Sequence, residues 1–499
     1  MNELHHPTRK KQVAVIGAGL GGISAAVSLA QEGYPVAIYE KNGHVGGKLN
    51  VLQEAGYSFD LGPSILTLPH FFEPLFERSG RKMTDYFEIT PLRPHWRNFF
   101  EDGTVIDLYP EPERMAEEAR KAGETPEAVQ AFLEYSGKLY DLVNDGYFQE
   151  GLDTSKDFRR HYGLTNFMKF DLLRTMHQGV ARHLKSPYLR NIFDFFIKYV
   201  GSSAYDAPAF MNCLATIQFR YDLWYVQGGM YNIARGLERL MRELGIEIHL
   251  DCEVSEIRKA HDRVTGIALK DGRIIDADII VSNLEVIPAY RDLFHEDEPF
   301  MRKLRRFEPA CSGLVLDLGL DTTYPQLAHH NFFFSRNQRD HFAAVFQDKK
   351  IPDDPTLYLV AASKSDPTVA PSGCDCLKIL PHIPHLQPDS PITRDDYTAL
   401  RDRVIIKLER MGLSDLRQHI VFEHMWTPFD IRDMYYSNQG AIYGVVCNRF
   451  KNFGFKAPKH SSKYSNLFFV GGSVNPGSGM PMVVLCGQNV CKAITAWDS

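Results

Sequence analysis

The chain has 499 residues, of which 44% are hydrophobic and 24% are charged, and its net charge is −6. This length is sufficient for two or three domains with a large buried core. The acidic balance gives no electrostatic reason to expect a nucleic-acid partner. Eight scattered cysteines predict reduced thiols in a cytosolic setting. We expect no metal site, because Cys374 and Cys376 have no second cysteine pair to complete a ligand set.

The first predicted element is a short buried strand, VAVI at 13–16, which leads directly into the turn GAGLGG at 17–22 and an apolar helix. The GxGxxG spacing is typical of a dinucleotide site. Gly17 permits the tight turn, Gly19 lets a pyrophosphate approach the backbone, and Gly22 lets helix and strand pack closely. The phosphates then lie at the helix N-terminus, beside Leu20, where free N–H groups point at them.

A second buried strand, VAIY at 36–39, ends at Glu40, about twenty residues past the glycines. An acid at this place accepts hydrogen bonds from a ribose and argues against a 2′-phosphate, hence against NADP. Residues 1–11 are polar and basic, and the apolar run after them contains the nucleotide turn, so we expect no signal peptide. No run of about twenty apolar residues occurs, so we expect no transmembrane helix.

The pattern changes after the turn DLGPS at 60–64, which ends a loosely alternating strand at 51–59. Residues 71–220 have helical periodicity and many aromatic residues, which predicts a helical insertion. Within it, residues 156–200 carry nine Lys and Arg against three Asp, interleaved with aromatic residues. This composition suits a surface that lies on anionic lipid. It suits equally well a set of helices with a solvated basic face and an aromatic core face.

Nucleotide-domain character returns at 221–285, with a helix at 231–244, a strand at 246–250, a hairpin around KDGR at 270–273 and a strand at 277–281. Short strand-like runs then predict a mixed sheet, which would form a substrate domain over 286–459; these runs cover residues 313–320, 331–334, 356–362 and 374–383.

The last segment is a buried strand, LFFV at 467–470, followed by the turn GGSVNPGSGMPM at 471–482 and a helix at 483–497. The N-terminus of this helix is expected to face the bound dinucleotide, where its dipole stabilises negative charge. The predicted fold is therefore α/β, with a discontinuous Rossmann-type dinucleotide-binding domain formed by residues 11–70, 221–285 and 460–499.

With these motifs in view, the chain resembles the carotenoid desaturase and oxidase family of FAD enzymes from about residue 11 to its C-terminus. The segments that carry the resemblance are IGAGLGGISAA at 16–26, FDLGPSILT at 59–67, YVGSSAYDAP at 199–208, PQLAHHNFFF at 325–334 and GAIYGVV at 440–446. Desaturases of this family usually have a closing turn HPGGGxP, whereas residues 475–481 are NPGSGMP. Asn475 fits the oxygenase branch, and Ser478 departs from the usual glycine of both branches.

The resemblance implies FAD as the cofactor, and it places the glycine pair of HVGGK at 44–48 against the flavin. The residues expected to contact FAD are Gly17, Gly19, Leu20, Gly22, Glu40, Gly46, Gly47, Lys48, Gly62, Pro63, Ser64, Val254, Gly472, Ser473, Met480, Pro481 and Met482. The candidates for the reaction end are His329, His330, Tyr205 and Asp206. Because neighbouring residues of a strand point to opposite faces, at most one of the two histidines is expected to face the flavin.

The implied reaction is the FAD-dependent oxidation of a terminal methyl group of an acyclic C30 carotenoid, 4,4′-diaponeurosporene, to an aldehyde in bacterial, staphyloxanthin-like carotenoid biosynthesis. The oxygen atom would come from water or from dioxygen. Two alternatives stay open, namely a diapophytoene or phytoene desaturase of the same fold and a non-catalytic escort protein that binds flavin and prenyl groups. A lipid-soluble substrate favours the lipid-surface interpretation of residues 156–200. It implies peripheral attachment to the cytoplasmic side of the cell membrane, with other carotenoid-pathway enzymes as candidate partners.

Overall fold

A five-stranded parallel sheet holds the nucleotide turn. The computed structural model describes residues 10–389 and 391–499, without the side chains of residues 164–168, so the predictions for residues 1–9 concern residues outside the described part. The order of strands in this sheet is Leu467–Phe469, Ile279–Ser282, Val13–Ile16, Val36–Tyr39 and Glu247–His249. The three central strands are buried along their whole length, as expected for apolar runs in a parallel sheet that is covered on both faces.

The first and last helices of the chain pack directly against each other. These helices are Leu20–Gln31 and Met480–Asp498. A Cβ atom on Gly487 would lie 2.5 Å from the backbone nitrogen of Ala25, so the absence of a side chain allows the close approach. The Ser24 hydroxyl also donates a 2.5 Å hydrogen bond to the Val484 carbonyl oxygen. This packing brings the opening and closing glycine turns together, although they are more than four hundred residues apart in sequence.

A large mixed sheet forms the second layer. Its main path consists of Ile420–Trp426, Val315–Leu320, Asp375–Ile383, Leu357–Ala361, His330–Phe333, Trp96–Phe99 and Val105–Leu108, and Ser312–Gly313 pairs with Asp375–Ile383 beside it. The predicted α/β fold with a mixed sheet is thus confirmed. The smaller sheets contain Val254–Ala260, Arg263–Leu269 and Ile274–Asp276 in one, Val51–Glu54 and Tyr57–Asp60 in another, and Ile89–Pro91 with Trp224–Val226 in a third.

The range 71–220, expected to be helical, contributes two strands to the mixed sheet. Trp96–Phe99 pairs in parallel with His330–Phe333 and antiparallel with Val105–Leu108. The remaining α-helices of the chain are Glu73–Glu77, Pro112–Lys121, Pro126–Val143, Ser155–Phe167, Met176–His183, Pro187–Phe195, Cys213–Tyr221, Tyr231–Glu243, Val286–Pro288, Glu298–Leu304, Gln338–Phe346, Arg394–Arg410 and Pro428–Tyr435. The division of the chain into domains stays a prediction.

The aromatic residues of the insertion mostly point inward. Phe193, Phe195 and Phe196 are buried and pack in the core between the insertion and the mixed sheet. Of the helices in the described ranges, none is both long enough and apolar enough to cross a membrane. The described residues also contain no group of three or more His, Cys, Asp or Glu side chains arranged to hold a metal ion.

Candidate functional site

One elongated cavity runs from the opening glycine turn into the helical insertion. It has a volume of about 2900 Å³, including the part that is open to solvent. Gly17, Gly19, Glu40 and Lys41 line one end. Another part of the lining is mainly apolar and aromatic and belongs to the insertion, namely Val143, Phe210, Met211, Cys213, Leu214 and Ile217. Leu380, Trp426 and Tyr443 also line the cavity. The cavity therefore joins a nucleotide-type end to an apolar end.

The opening turn has the geometry that its glycines predict. Gly17 has a φ of +91°, a conformation that favours glycine. A Cβ atom on Gly22 would lie 2.1 Å from the Gly17 carbonyl oxygen, so only glycine allows the helix to start this close to the strand. The Glu40 carboxylate accepts hydrogen bonds from the backbone nitrogens of Ala18 (2.8 Å) and Asn42 (2.9 Å). Glu40 therefore fixes the shape of the turn and also lines the cavity.

The backbone of the segment HVGGK packs directly against the backbone of the opening turn. The Gly46 nitrogen donates a 2.7 Å hydrogen bond to the Ala18 carbonyl oxygen. Gly46 and Gly47 have φ values of +110° and +59°, and a Cβ atom on Gly47 would lie 3.0 Å from the Gly19 Cα atom. Lys48 Nζ lies 3.5 Å from the Glu285 carboxylate. The glycines of the opening turn and of HVGGK thus form a continuous part of the cavity wall, the floor, in which the backbone carries no side chains.

The turn DLGPS is held from below by a buried lysine. Lys378 Nζ donates hydrogen bonds to the Asp60 carbonyl oxygen (2.6 Å), to the Ser64 hydroxyl (3.0 Å) and to the Gly62 carbonyl oxygen. Burial raises the pKa of the Asp60 carboxyl to about 6, against the lowering effect of its hydrogen bond from the Met230 nitrogen. These contacts position Gly62, Pro63 and Ser64 at the cavity wall.

Almost all of the residues predicted to contact a cofactor line this cavity. The exceptions are Gly22, which packs helix against strand, and Ser473, whose hydroxyl accepts a 3.1 Å hydrogen bond from the Val286 nitrogen. The others are Gly17, Gly19, Leu20, Glu40, Gly46, Gly47, Lys48, Gly62, Pro63, Ser64, Val254, Gly472, Met480, Pro481 and Met482. Their individual roles in cofactor binding stay a prediction.

The four candidates for catalysis lie outside the cavity lining. His329 is buried, its Nδ1 lies 2.9 Å from the Ser365 hydroxyl, and burial lowers its pKa to about 3. His330 lies one layer behind the wall, with its Nδ1 3.1 Å from the hydroxyl of Tyr358, which does line the cavity. Tyr205 packs against His177 and Phe342.

Asp206 is likewise absent from the wall, and its carbonyl oxygen accepts a hydrogen bond from the Arg449 nitrogen. Catalytic roles for Tyr205, Asp206, His329 and His330 stay predictions. His330 is the best placed of the four, because it contacts a wall residue.

Sequence reasoning missed two polar residues beside the nucleotide turn. Asn283 and Glu285 follow the strand Ile279–Ser282 and line the cavity. A Cβ atom on Gly19 would lie 2.5 Å from Asn283 Nδ2, so the amide occupies the space next to that glycine. Asn283 could have been predicted from the sequence, because it directly follows a strand of the parallel sheet. In such sheets ligands bind at the edge where the carboxyl ends of the strands meet.

The second missed feature is Lys198, which was counted with the basic surface residues. Lys198 is only 4% exposed and lines the cavity. Its Nζ lies 3.9 Å from the ring centre of Tyr358, 4.5 Å from that of Trp96, 4.7 Å from that of Tyr199 and 5.0 Å from that of Phe332. We refer to these four rings as the aromatic cage.

Burial dominates the electrostatics of Lys198. No hydrogen bond or ion pair joins its Nζ to another group in the described part of the chain. Desolvation therefore lowers the pKa of Lys198 well below that of an ordinary lysine. Each ring attracts an ammonium by about 0.5 to 2 kcal/mol, whereas taking an ion out of water costs several kcal/mol. The four rings therefore offset part of the cost of burying an ammonium, and the net effect of burial on the pKa of Lys198 is a lowering.

A pair of polar groups on the wall has no partner within the described residues. The Ser478 hydroxyl in the closing turn and the Tyr199 hydroxyl beside Lys198 are both buried, and neither makes a hydrogen bond there. Buried polar atoms without partners are costly. Both residues line the cavity, so a bound molecule is the natural partner for each.

Comparisons with known proteins agree with the resemblance in the motifs. A family model described as flavin containing amine oxidoreductase matches residues 20–316. The chain is 58% identical over 488 residues to a 4,4′-diapolycopene oxygenase from Methylomonas sp, covering 97% of this chain and 98% of that protein. It is 50% identical over 492 residues to the 4,4′-diaponeurosporene oxygenase of Staphylococcus aureus strain USA300, covering 98% and 99% respectively.

A solved structure with the same fold is a putrescine oxidase variant. It superposes with a TM-score of 0.66 at 12% sequence identity, covering 98% of this chain and 99% of that chain. At this identity the likeness concerns the fold alone.

Proposed function

Since this chain belongs to the flavin-containing amine oxidoreductases, we propose that it oxidises a terminal methyl group of an acyclic C30 carotenoid, 4,4′-diaponeurosporene, to the aldehyde. The chain is an oxidoreductase and its cofactor is FAD, as the resemblance implied. The relatives named above are both oxygenases of diapocarotenoids, one of diapolycopene and one of diaponeurosporene. We propose 4,4′-diaponeurosporene, rather than 4,4′-diapolycopene, as the substrate of this chain.

The residues around the cavity fit FAD. The floor made by Gly19, Gly46 and Gly47 presents backbone where a Cβ atom would occupy the space needed by a pyrophosphate. The Ser478 hydroxyl, buried and without a partner in the described part of the chain, is suited to a hydrogen bond with the ligand. The helix Met480–Asp498 directs its N-terminus at the same cavity, which favours negative charge there.

The observation that carries the proposal is the continuity of the cavity. One space is lined by the nucleotide glycines and by apolar residues of the insertion, so a dinucleotide and a long apolar molecule can meet inside it. Ligand sites commonly combine apolar walls with a small number of polar groups. The substrate 4,4′-diaponeurosporene is a hydrocarbon without polar atoms, so it matches the mainly apolar lining of this part of the cavity.

The chain's own residues exclude water and orient the substrate. FAD supplies a hydride acceptor when it is bound. Leu214, Ile217 and Leu380 give the polyene an apolar wall, which limits water at the reacting end. Hydride loss from a terminal methyl leaves a positive charge delocalised along the polyene. The faces of Tyr358, Trp426 and Tyr443 are suited to attract such a charge.

Product analysis tests the proposal. Purified FAD-loaded protein is incubated with 4,4′-diaponeurosporene, with 4,4′-diapolycopene and with diapophytoene, and the pigments are identified by mass spectrometry. We expect a product of the first substrate that has gained one oxygen and lost two hydrogens. New double bonds in diapophytoene without any oxygenated product would instead identify a desaturase. A flavin that stays oxidised with all three substrates would favour an escort protein.

We also propose that a basic, apolar surface beside the cavity docks on anionic lipid. Leu173, Phe450 and Phe453 are 82%, 75% and 67% exposed. Arg449 connects two of them, since its Nη1 donates to the Leu173 carbonyl oxygen at 2.9 Å and its guanidinium lies 4.6 Å from the Phe450 ring centre. Gly454, next to Phe453, lines the cavity. A lipid-soluble substrate can thus enter from the surface that carries these side chains.

The neighbouring helix adds positive charge to this docking surface. Phe158 of the helix Ser155–Phe167 packs against Phe455, with ring centres 4.9 Å apart. Lys156, Arg159 and Arg160 of that helix are exposed. Basic residues beside exposed apolar ones favour attachment to anionic membranes. Contact with other carotenoid-pathway enzymes stays a prediction.

Removing two exposed rings is expected to weaken vesicle binding. The double variant Phe450→Ser, Phe453→Ser should bind phosphatidylglycerol vesicles at least about tenfold less well. Each phenylalanine ring that moves from water into lipid contributes about 1.5 to 3 kcal/mol to the free energy of binding. Vesicle co-sedimentation measures the affinity. The control is Ile406→Ser on the helix Arg394–Arg410, which removes another exposed apolar side chain. Equal binding by the double variant and this control would contradict the docking surface.

A further inference from the structure

We propose that Lys198 captures the aldehyde end of a polyene as a reversible imine within the cavity. This inference rests on the proposed function, because it assumes that an aldehyde forms or binds there. The step uses a primary amine that the oxidation itself does not need. It assigns a covalent carbonyl site to a residue that lies between the insertion and the mixed sheet.

The first support is the position of Lys198. Its amino group lies inside the aromatic cage and on the wall of the cavity, at the apolar part shared with Tyr199 and Tyr358. Two rings of the cage, Tyr199 and Tyr358, line the cavity and suit a conjugated chain, because flat polyenes and aromatic faces pack closely. A polyene that fills this part of the cavity therefore brings its end group close to a primary amine.

The second support is the contrast with two other buried lysines on the same wall. Lys378 Nζ donates to the Asp60 carbonyl oxygen at 2.6 Å, and Lys456 Nζ donates to the Val445 carbonyl oxygen at 2.5 Å. Lys198 has no such acceptor among the residues that the structure describes. Burial without a carboxylate partner also lowers its pKa, which favours the amine form that has a lone pair for attack.

The chemistry balances without an oxidant or a reductant. The Lys198 nitrogen attacks the carbonyl carbon, a C–N bond forms, and the C=O π bond breaks to give a carbinolamine. The two amine hydrogens leave with the former carbonyl oxygen as water, and a C=N bond remains. The Tyr199 hydroxyl, which has no partner in the described part of the chain, is suited to donate a hydrogen bond to the carbonyl oxygen.

A reversible imine gives the enzyme a way to hold a reactive product. Because the aldehyde carbon is masked as an imine, it is protected from a second oxidation to the acid. Water that reaches the imine hydrolyses the C=N bond and releases the aldehyde. Lys198 would therefore influence the ratio of aldehyde to acid, in addition to how long the product stays bound.

Borohydride trapping tests this site directly. FAD-loaded protein is mixed with β-apo-8′-carotenal, a conjugated C30 aldehyde, and reduced with sodium borohydride. Intact-mass analysis and peptide mapping then locate the adduct. We expect one probe per chain, attached to Lys198, with Lys378 and Lys456 unmodified. Before reduction, the bound probe should absorb at shorter wavelength than the free aldehyde, because an unprotonated imine replaces the carbonyl.

Two variants and a pH series serve as controls. Lys198→Met and Lys198→Arg should lower the trapped fraction at least tenfold, while flavin absorbance and thermal unfolding confirm that each variant folds. Because burial lowers the pKa of Lys198, the wild-type yield should rise less steeply with pH than the labelling of exposed lysines does. An adduct that persists in Lys198→Met, or no adduct at Lys198 in the wild type, overturns the inference.

The trapping result can be separated from the proposed function. Turnover of 4,4′-diaponeurosporene is measured on the same preparation without the probe. Turnover without a Lys198 adduct overturns the imine and leaves the oxidation intact. An adduct without turnover supports the carbonyl site and contradicts the proposed oxidation.

Discussion

Replacing Gly19 with valine is expected to weaken FAD binding by about 10- to 100-fold. The φ of Gly19 is −74°, so the backbone accepts a side chain, and the effect must come from space alone. A Cβ atom at this position would lie 2.5 Å from Asn283 Nδ2 and face the cavity. Overpacking costs about 1 to 3 kcal/mol, and each 1.4 kcal/mol is a factor of about ten in affinity. Fluorescence titration of the apoprotein with FAD measures the change.

The matched control for this variant is Gly43→Val. Gly43 lies in an exposed part of the loop before the HVGGK glycines, and it does not line the cavity. We expect this variant to bind FAD with an affinity close to that of the wild type. If Gly19→Val also bound FAD normally, the pyrophosphate could not lie against the opening turn.

Replacing Leu214 with tryptophan is expected to lower kcat/KM for the C30 carotenoid by about 10- to 100-fold, while FAD stays bound. Leu214 belongs to the helix Cys213–Tyr221 and lines the apolar end of the cavity, next to Phe210 and Ile217. The indole occupies space that the polyene needs, at a cost of about 1 to 3 kcal/mol. Steady-state assays of carotenoid oxidation and the flavin content of the purified variant measure both parts of this expectation.

Leu214→Met is the control for the tunnel. Methionine has nearly the same volume as leucine and adapts its shape, so its activity should be within a few-fold of the wild type. Normal turnover in Leu214→Trp would mean that the substrate lies elsewhere. Loss of flavin in the same variant would mean that the two ends of the cavity are not independent.

The nucleotide part of the fold was predictable because its signals are local. The strand Val13–Ile16, the turn after it and the strand Val36–Tyr39 each follow from apolar runs and glycines within a short stretch of sequence. The closing helix was also expected, although its start at Met480 lies three residues before the predicted one. Hydrophobic periodicity and glycine spacing are sufficient to predict such elements from the sequence.

The strands at Trp96–Phe99 and Val105–Leu108 were not predicted, because their pairing is not local. They join a sheet whose other strands lie more than two hundred residues later, through the pairing of Trp96–Phe99 with His330–Phe333. A run of four residues inside a helix-rich region gives little periodicity of its own. Tertiary pairing, which sequence patterns do not report, determines these strands.

The candidate site shows the same distinction between local and distant signals. Glycines that require positive φ or close approach were found from spacing, and they line the cavity at Gly17, Gly46 and Gly47. The pair His329 and His330 was predicted from its place beside an aromatic strand, and neither residue lines the cavity. Lys198 was grouped with surface cations, although its position within the apolar run FFIKYV was a signal of burial.

The central claim is that bound flavin and a terminal methyl of the carotenoid meet inside one cavity. Anaerobic mixing of FAD-loaded protein with 4,4′-diaponeurosporene, followed by absorbance of the oxidised flavin, tests it most directly. We predict that the flavin band bleaches as the carotenoid is oxidised, and that deuterium in the terminal methyl groups slows the bleaching. A flavin band that stays unchanged, or bleaches at a rate indifferent to deuterium in those methyl groups, would contradict the claim.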